Sequence, residues 1–350
     1  MNSSHFIYEK IADDLRSRID NQEFKSNKLP PERELADHYN ANRITLRKAI
    51  ALLEQEKLIF RDGTRGTFIG RAKPRKTNNL VIGLILAGRS RLDQMHSVTI
   101  MELEKQLKRY HSNMMLFTVA ENEKIEEVIS GPVKNGMLDA VILAGLVSPV
   151  MAESIAKMNL PALLFGHLMY SSPIEKAFDR VYPDSVEYSY QAVKYLAKKQ
   201  YKKIALVNGP GYQRFLNIYQ GYMRALDEFG ITYDESLVEK CLNDTPVEGM
   251  NAISKILDRE KPDAIFAADE RLSIGAIEGL KSRGIDDVEI ITVGTDRSEL
   301  PGKENIKTVT IDWEKMVEYA IEMLMTRIND DDQPPSYQSV PFHISRPSDN

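Results

Sequence analysis

Apolar residues near the start of the chain recur at helical spacing. Tyr8, Ile11, Leu15 and Ile19 mark one face of a predicted helix over 7–21. The stretch KLPPERELADHY follows. Pro31 suits the first position of a second, short helix, where its missing N–H costs nothing, and Leu35, Ala36 and Tyr39 give that helix an apolar face. Asn40, Ala41 and Asn42 form a three-residue turn. A third helix is predicted from Arg43 to Gln55, with Leu46, Ala49, Ile50 and Leu53 on the packed face. Ile44, Arg47 and Lys48 then fall on the opposite face, flanked by Arg43 and Thr45. Asn42 is a good N-cap, able to accept from the backbone N–H of Ile44 or Thr45. Next come LIF, the turn RDGTRG and TFIG: two short strands, Gly63 and Gly66 for the turn, and a basic tip at Arg61 and Arg65. Two helices joined by a tight turn, the second with a cationic outer face, followed by a hairpin, predict a winged helix-turn-helix over 1–70.

The pattern then changes. RAKPRKTNN, residues 71–79, is basic and polar, contains Pro74 and reads as a linker. NLVIGLILAG is a continuous apolar run bounded by Gly88, the signature of a buried parallel strand. Strands are predicted at 80–87, 113–119, 138–145, 161–166, 203–208, 237–241, 263–268 and 288–294. Helices are predicted between them, at 97–110, 122–134, 186–199, 214–228, 247–259 and 271–283. This alternation implies an α/β class with parallel sheets covered by helices on both faces. The region 80–350 is too long for one comfortable sheet, so two similar lobes are expected, with ligands outside the carboxyl ends of the strands.

Composition narrows the setting. Of 350 residues, 42% are hydrophobic and 28% charged, which is ordinary for a soluble globular chain. The single cysteine, Cys241, excludes a disulfide framework and fits a reducing cytoplasm. No apolar run reaches the roughly 20 residues of a membrane span, so no membrane partner is expected. The first residues lack a signal-peptide pattern, which disfavours an exported transport-type binding protein. The formal net charge is -5, yet residues 1–76 hold 16 Lys and Arg against 11 Asp and Glu, leaving 30 basic and 40 acidic residues elsewhere. A basic head on an acidic body suggests that only the head meets a polyanion. An arginine can bridge guanine O6 and N7, worth roughly 1–3 kcal/mol of discrimination, while Thr45 and a helix N-terminus suit phosphate oxygens.

Enzyme signatures are missing from the sequence. NGPGYQ after the strand at 203–208 is not a dinucleotide fingerprint, and no phosphate loop or nucleophile elbow occurs. No two of the six histidines have metal-ligand spacing. No enzyme activity, metal or cofactor is therefore expected.

Two resemblances sharpen these expectations. YEKIADDLRSRI, LPPERELADHY, NRITLRKAI, LEQEKLI and GTRGTFIG, spanning residues 7 to 70, resemble the winged head of the GntR family of bacterial regulators. That resemblance implies DNA contacts at Arg33, Arg43, Thr45, Arg47 and Lys48, and at the wing through Thr64, Arg65 and Gly66. Asn42 stands where the family usually has serine. The wing, Gly63-Thr64-Arg65-Gly66-Thr67, is one residue longer than usual. IGLILAG, LDAVILAG, DRVYPDS, AVKYLAKKQYKKIALVNGP, GYMRALDEFGI, PDAIFAADERLSIGAIEGLKSRGI, ITVGTD and KTVTIDWEKMVEYAIEMLMTRI resemble the effector domain of the LacI family. That domain is similar to type I periplasmic sugar-binding proteins, which implies two Rossmann-like lobes, three crossovers and a cleft. Lobe one is expected at 80–182 and 297–330, and lobe two at 185–295 and 335–346. The combination is an arabinose-repressor-like architecture.

The second resemblance implies a small sugar-type effector, a homodimer and a palindromic double-stranded operator. It also points to effector contacts at Arg89, Arg91, Asp93, Arg214, Glu270, Asp296 and Trp313. Two departures matter. The family's clamp arginine, three residues before the Gly221-Tyr222 pair, is replaced by Ile218, with Arg214 a substitute one turn earlier. The family's asparagine-aspartate pair is Asp269-Glu270 here. With Arg89 and Arg91 in the loop after the first strand, these departures leave an acidic effector, a sugar acid or sugar phosphate, as the alternative. Repression relieved by ligand is the expected sign, with activation as the alternative.

Overall fold

A computed structural model of the chain describes residues 7–21, 23–24, 28–56, 58–62, 66–69, 79–88, 94–120, 123–294, 300, 306–329 and 333–345. The chain divides into two compact units, Met1–Lys76 and Thr77–Asn350. The expected linker, apart from Asn79, lies outside the described residues.

The smaller unit holds three helices, α1 (Ile7–Asp20), α2 (Glu32–His38) and α3 (Arg43–Gln55), and two antiparallel strands, β1 (Ile59–Asp62) and β2 (Gly66–Ile69). The residues that share helical faces in the sequence meet in one core. Ile11 and Leu15 of α1, Leu35 of α2, and Leu46, Ala49, Ile50 and Leu53 of α3 are all buried there with Ile59. Each such aliphatic side chain contributes roughly 1.5–3 kcal/mol. Pro31 lies one residue earlier than predicted, at the N-cap of α2 rather than in its first turn. One feature was not legible in the pattern: Lys28 bridges Phe68, and Leu29 N–H donates to Thr67 O at 2.9 Å, adding a short third edge to the hairpin. Tyr39 ties α2 to α1, donating to Asp14 at 2.6 Å and accepting from Arg18 at 3.1 Å. Burial and the Asp14 carboxylate push the Tyr39 phenol up to about 12, so it stays a donor at neutral pH.

The larger unit contains two six-stranded sheets. The first is built from β3 (Val81–Ala87), α4 (Gln94–Arg109), β4 (Asn113–Val119), α5 (Ile125–Lys134), β5 (Ala140–Gly145), α6 (Pro149–Ala156), β6 (Ala162–Phe165) and β7 (Asp179–Pro183). The chain then crosses to α7 (Ser185–Lys198), β8 (Ile204–Asn208), α8 (Gln213–Glu228), β9 (Val238–Lys240), α9 (Pro246–Arg259), β10 (Ala264–Ala267), α10 (Glu270–Ser282), β11 (Glu289–Gly294) and β12 (Ile306–Ile311). It returns to the first lobe with α11 (Trp313–Asn329) and β13 (Tyr337–Val340), and crosses again to β14 (Phe342–Ser345). The sheet orders are β4-β3-β5-β6-β7-β13 and β9-β8-β10-β11-β12-β14, the same winding in each lobe. All pairings in them are parallel except β12 with β14. This is the expected α/β class, with two Rossmann-like lobes joined by three crossovers.

The lobe boundaries differ from expectation at the C-terminal end. Residues 297–330 are expected in lobe one, but β12 pairs with β11 in the second sheet, and among the described residues of that stretch it is α11 that packs on lobe one. Residues 335–346 are expected whole in lobe two, but β13 pairs with β7 in the first sheet and β14 alone joins the second. A buried clasp fixes the return. Arg327 of α11 donates to both oxygens of Asp179, at 2.7 and 2.9 Å, and Ser336 N–H donates to the same carboxylate at 2.8 Å. Nothing in the local periodicity encodes that long-range pairing. The helix pairs of lobe two meet closely. A Cβ on Gly221 would lie 1.9 Å from Ser189 Oγ, and one on Gly275 would lie 1.7 Å from Pro246 O. The glycine of the Gly221-Tyr222 motif thus serves helix packing.

Candidate functional site

Two regions hold the residues singled out above. In the smaller unit, Asn42 caps α3 as expected, its Oδ1 accepting from Thr45 N at 2.7 Å. The cap fixes the entry to the helix and leaves Arg43, Arg47 and Lys48 exposed on its outer face, with Thr45 half-buried. Ile44, on the same face, is 72% exposed, so this helix presents an apolar residue among cations. Arg33 is exposed on α2. Lys48 Nζ sits 6.0 Å from the Tyr8 ring centroid. The cations are not isolated from acids: Arg47 Nε lies 2.8 Å from Glu32, and Arg61 of β1 lies 3.8 Å from Glu32 and 3.5 Å from Glu54. Such solvated pairs are worth about 0–1 kcal/mol, so an incoming phosphate or base competes for the arginines at small cost. Gly66 opens β2 with φ +117°, and a Cβ there would come within 2.8 Å of Lys28 Cε. Thr64 and Arg65 lie outside the described residues.

In the larger unit a cavity of about 400 Å³ lies between the lobes. Its walls come from the carboxyl ends of strands in both sheets: Leu86, Ala144 and Phe165 from lobe one, Val293 from lobe two, and Pro183 and Ile311 at crossovers. That is where a doubly wound sheet binds ligands. Arg214, Glu270 and Trp313 line this cavity. Arg89, Arg91, Asp93 and Asp296 lie outside the described residues.

Arg214, in the first turn of α8, donates to Asp269 Oδ2 at 2.7 Å and to Ala268 O at 3.2 Å. Burial opposes its charge, but Tyr188 and Asp269 outweigh that and keep the guanidinium firmly protonated. Ile218, at the family's clamp position, is fully buried in the core and cannot reach a ligand. Asp269 also caps α10, its Oδ1 accepting from Arg271 N at 3.0 Å, which sets Glu270 in the helix's first turn at the cavity wall. Trp313 opens α11 directly after the second crossover. Its ring stands 6.1 Å from Phe165, and its buried Nε1 has no hydrogen-bond partner.

Sequence reasoning missed several polar residues of the wall: Thr99, His167, Ser185, Tyr188, Tyr212, Asp244 and Asp269. His167 and Asp269 follow predicted strands at 161–166 and 263–268, so the strand-end rule was the signal that pointed to them. Among the described residues the wall carries two cations, Arg214 and Arg271, against three carboxylates, Asp244, Asp269 and Glu270. No group of three or more His, Cys, Asp or Glu among the described residues is arranged to hold a metal. No described helix is long and apolar enough to cross a membrane.

A winged helix-turn-helix unit joined to a two-lobed cleft defines a ligand-responsive transcriptional regulator. The comparisons agree in both parts. Residues 7–69 match the model for bacterial regulatory proteins of the gntR family, and residues 79–327 match that for periplasmic binding proteins and the sugar binding domain of the LacI family. The chain belongs to this LacI-type family by its body and carries a gntR-type head. It is 23% identical over 341 residues to the arabinose metabolism transcriptional repressor of Geobacillus stearothermophilus, covering 92% of this chain and 91% of that one. It is 25% identical over 242 residues to catabolite control protein A of Priestia megaterium, covering 67% and 71%. Its fold matches a structure of the transcriptional regulator CelR in complex with cellobiose, with a TM-score of 0.67, 20% identity and 97% of both chains covered.

Proposed function

We propose that the protein represses carbohydrate-utilisation genes, binding a palindromic operator as a homodimer and releasing it when a neutral sugar occupies the cleft. In this reading Arg33, Arg43, Arg47 and Lys48 contact the duplex, joined by Thr45 and the wing residues Thr64, Arg65 and Gly66, with Asn42 ordering the helix. Glu270 accepts from sugar hydroxyls, Trp313 offers an aromatic face, and Arg214 orients the ligand. Arg89, Arg91, Asp93 and Asp296 complete the effector set. The observation that carries the reading is the cleft itself: carboxylates and aromatic rings at the carboxyl ends of two parallel sheets. The excess of carboxylates over cations among the described wall residues, and the engagement of Arg214 by Asp269, favour an uncharged ligand over a sugar acid or phosphate. A ligand shifts operator binding only as far as it prefers one lobe arrangement, and by linkage the operator weakens ligand binding equally. The related regulators and the absence of an enzyme motif support a sensor that leaves its ligand unchanged.

The test pairs operator binding with ligand response. The purified protein is expected to bind its own upstream DNA with strong salt dependence, and a neutral sugar is expected to raise its melting temperature and release the DNA. Glu270→Ala is expected to abolish release while leaving operator affinity intact; a fully responsive variant removes Glu270 from the site.

A further inference from the structure

His167 follows β6 through Gly166, whose φ of +109° is a conformation open to glycine at little cost. Gly166 N–H donates to Val181 O at 2.7 Å, and strand pairing ends there. The next residue, His167, lines the cavity. Its Nε2 lies 3.1 Å from the carbonyl oxygen of Pro183, the last residue of β7 and the start of the first crossover. A carbonyl can only accept, so Nε2 carries the proton. The ring meets Tyr182 edge-on at 5.3 Å. Burial pushes the imidazole below its ordinary range; the Pro183 carbonyl and Glu175 oppose this, and Arg180 and Arg214 reinforce it. The ring is therefore neutral near pH 7, and its other nitrogen, Nδ1, is an acceptor.

The same loop reaches the opposite lobe. Met169 O accepts from Gln213 N, the first residue of α8, at 2.8 Å, and Tyr170 meets Tyr212 edge-on at 6.0 Å. Residues 166–170 therefore touch the cavity, the first crossover and the facing lobe at once.

We propose that His167 is a specificity-determining residue of the cleft, its Nδ1 accepting a ligand hydroxyl while its loop carries that contact to the crossover and to α8. The inference rests on the sugar-sensor reading above. It selects for a ligand that donates a hydroxyl at this point and against the deoxy or O-methyl analogue, which leaves the acceptor unpaired. Binding falls on acidification, because protonating Nδ1 turns the acceptor into a donor. The other charged groups facing the ring are Glu175, Arg180 and Arg214.

Two measurements on the full-length protein test this. In the ligand-free protein with 15N-labelled histidine, the His167 signals are assigned by their loss in His167→Gln. The expected state near neutral pH is the neutral Nε2–H tautomer; an Nδ1–H tautomer or an imidazolium overturns the proposal. The second measurement uses ribose, arabinose and cellobiose as neutral probes and ribose 5-phosphate as an anionic one. Against whichever probe stabilises the wild type, His167→Phe is expected to lose about tenfold in affinity. His167→Gln, whose amide can still donate to Pro183 O and accept from the ligand, is expected to keep most of it and to lose the pH dependence. Equal affinity of the Phe variant and wild type overturns the proposal. Stabilisation by ribose 5-phosphate alone defeats the neutral-sugar reading, and the same two variants then decide His167 against that probe. If no probe binds, or the Phe variant does not fold, the tautomer decides.

Discussion

Two arginines, one in each unit, make almost the same contact and serve opposite ends. Arg47 on α3 sits 2.8 Å from Glu32, with the two side chains 62% and 28% exposed. Arg214 on α8 sits 2.7 Å from Asp269, at 33% and 10%. Distance does not separate them; solvent does. Around Arg47 water screens the pair, so the contact is weak and exchangeable. Around Arg214 the partner carboxylate is nearly dry and also caps a helix, so the pair is a fixed part of the cavity wall. In the function proposed above, a polyanion would draw the first arginine away from its acid, whereas a ligand in the cleft would meet the second as a fixed, already neutralised feature.

The largest effect should therefore come from Asp269→Ala. It strips Arg214 of its partner and α10 of its cap. Breaking a buried pair costs 3–5 kcal/mol, discounted here because Arg214 is a third exposed; with the cap, a loss of ~2–4 kcal/mol is expected. Trp313, the only tryptophan, lies in the larger unit, so its fluorescence during urea unfolding isolates this effect. Glu32→Ala should cost the smaller unit no more than ~1 kcal/mol. Equal losses from the two variants would erase the distinction between the pairs.

Arg47→Ala comes next, and its effect should appear in binding rather than folding. Specific operator affinity is expected to fall by ~1–3 kcal/mol at fixed salt, with preference relaxed at the contacted position. Lys48→Ala, if it meets phosphate, should weaken all sequences alike and reduce the salt slope by about one. An Arg47 variant that matched wild type on both operator and random DNA would move the recognition surface elsewhere.

A third effect is tied to pH and to the buried Asp179–Arg327 clasp. Burial alone would raise the Asp179 carboxyl, but Arg327 and Ser336 outweigh it and hold the group below its ordinary range. The stabilisation is complete above the unfolded value, ~3.9, and is lost as pH falls through the lower folded value. Acid unfolding followed at Trp313 should therefore soften below about pH 4, and Asp179→Asn should flatten that limb. An unchanged acid limb in the variant would detach the clasp from the unit's pH stability.

The elements show which parts of this molecule are written locally. The α3 boundaries, its cap and its four core residues follow from spacing and one asparagine, and the structure has them as read. The two-lobed α/β class follows from alternation. The placement of β13 does not follow, because its neighbour β7 is distant in the chain, as Arg327 is from Asp179, 148 residues away. The strand β12 pairs with the nearby β11, and local spacing does not say which lobe that strand joins. The cleft was legible as a location, the strand ends, but not as a chemistry. His167 has an ordinary sequence context, and its role depends on a carbonyl sixteen residues on. Asp269 does not stand out in the sequence because a resemblance transfers positions and not hydrogen bonds such as those it accepts from Arg214 and Arg271.

The smallest effect concerns Asn42, where the chain departs from the serine usual at this position. Both side chains accept well at an N-cap, so Asn42→Ser should change the smaller unit's stability by only a few tenths of a kcal/mol, while Asn42→Ala should cost about 1. The observed bond to Thr45 N–H makes hydrogen exchange at that amide the direct readout: protection should persist in the serine variant and drop in the alanine one. Operator preference measured on the same variants separates two roles. If serine and asparagine bind one ranked set of operators, the residue is a cap and specificity lies with Arg47 and its neighbours. If the ranking changes while Thr45 stays protected, Asn42 reads DNA as well, because its amide NH2 offers donors beyond the one oxygen the cap uses.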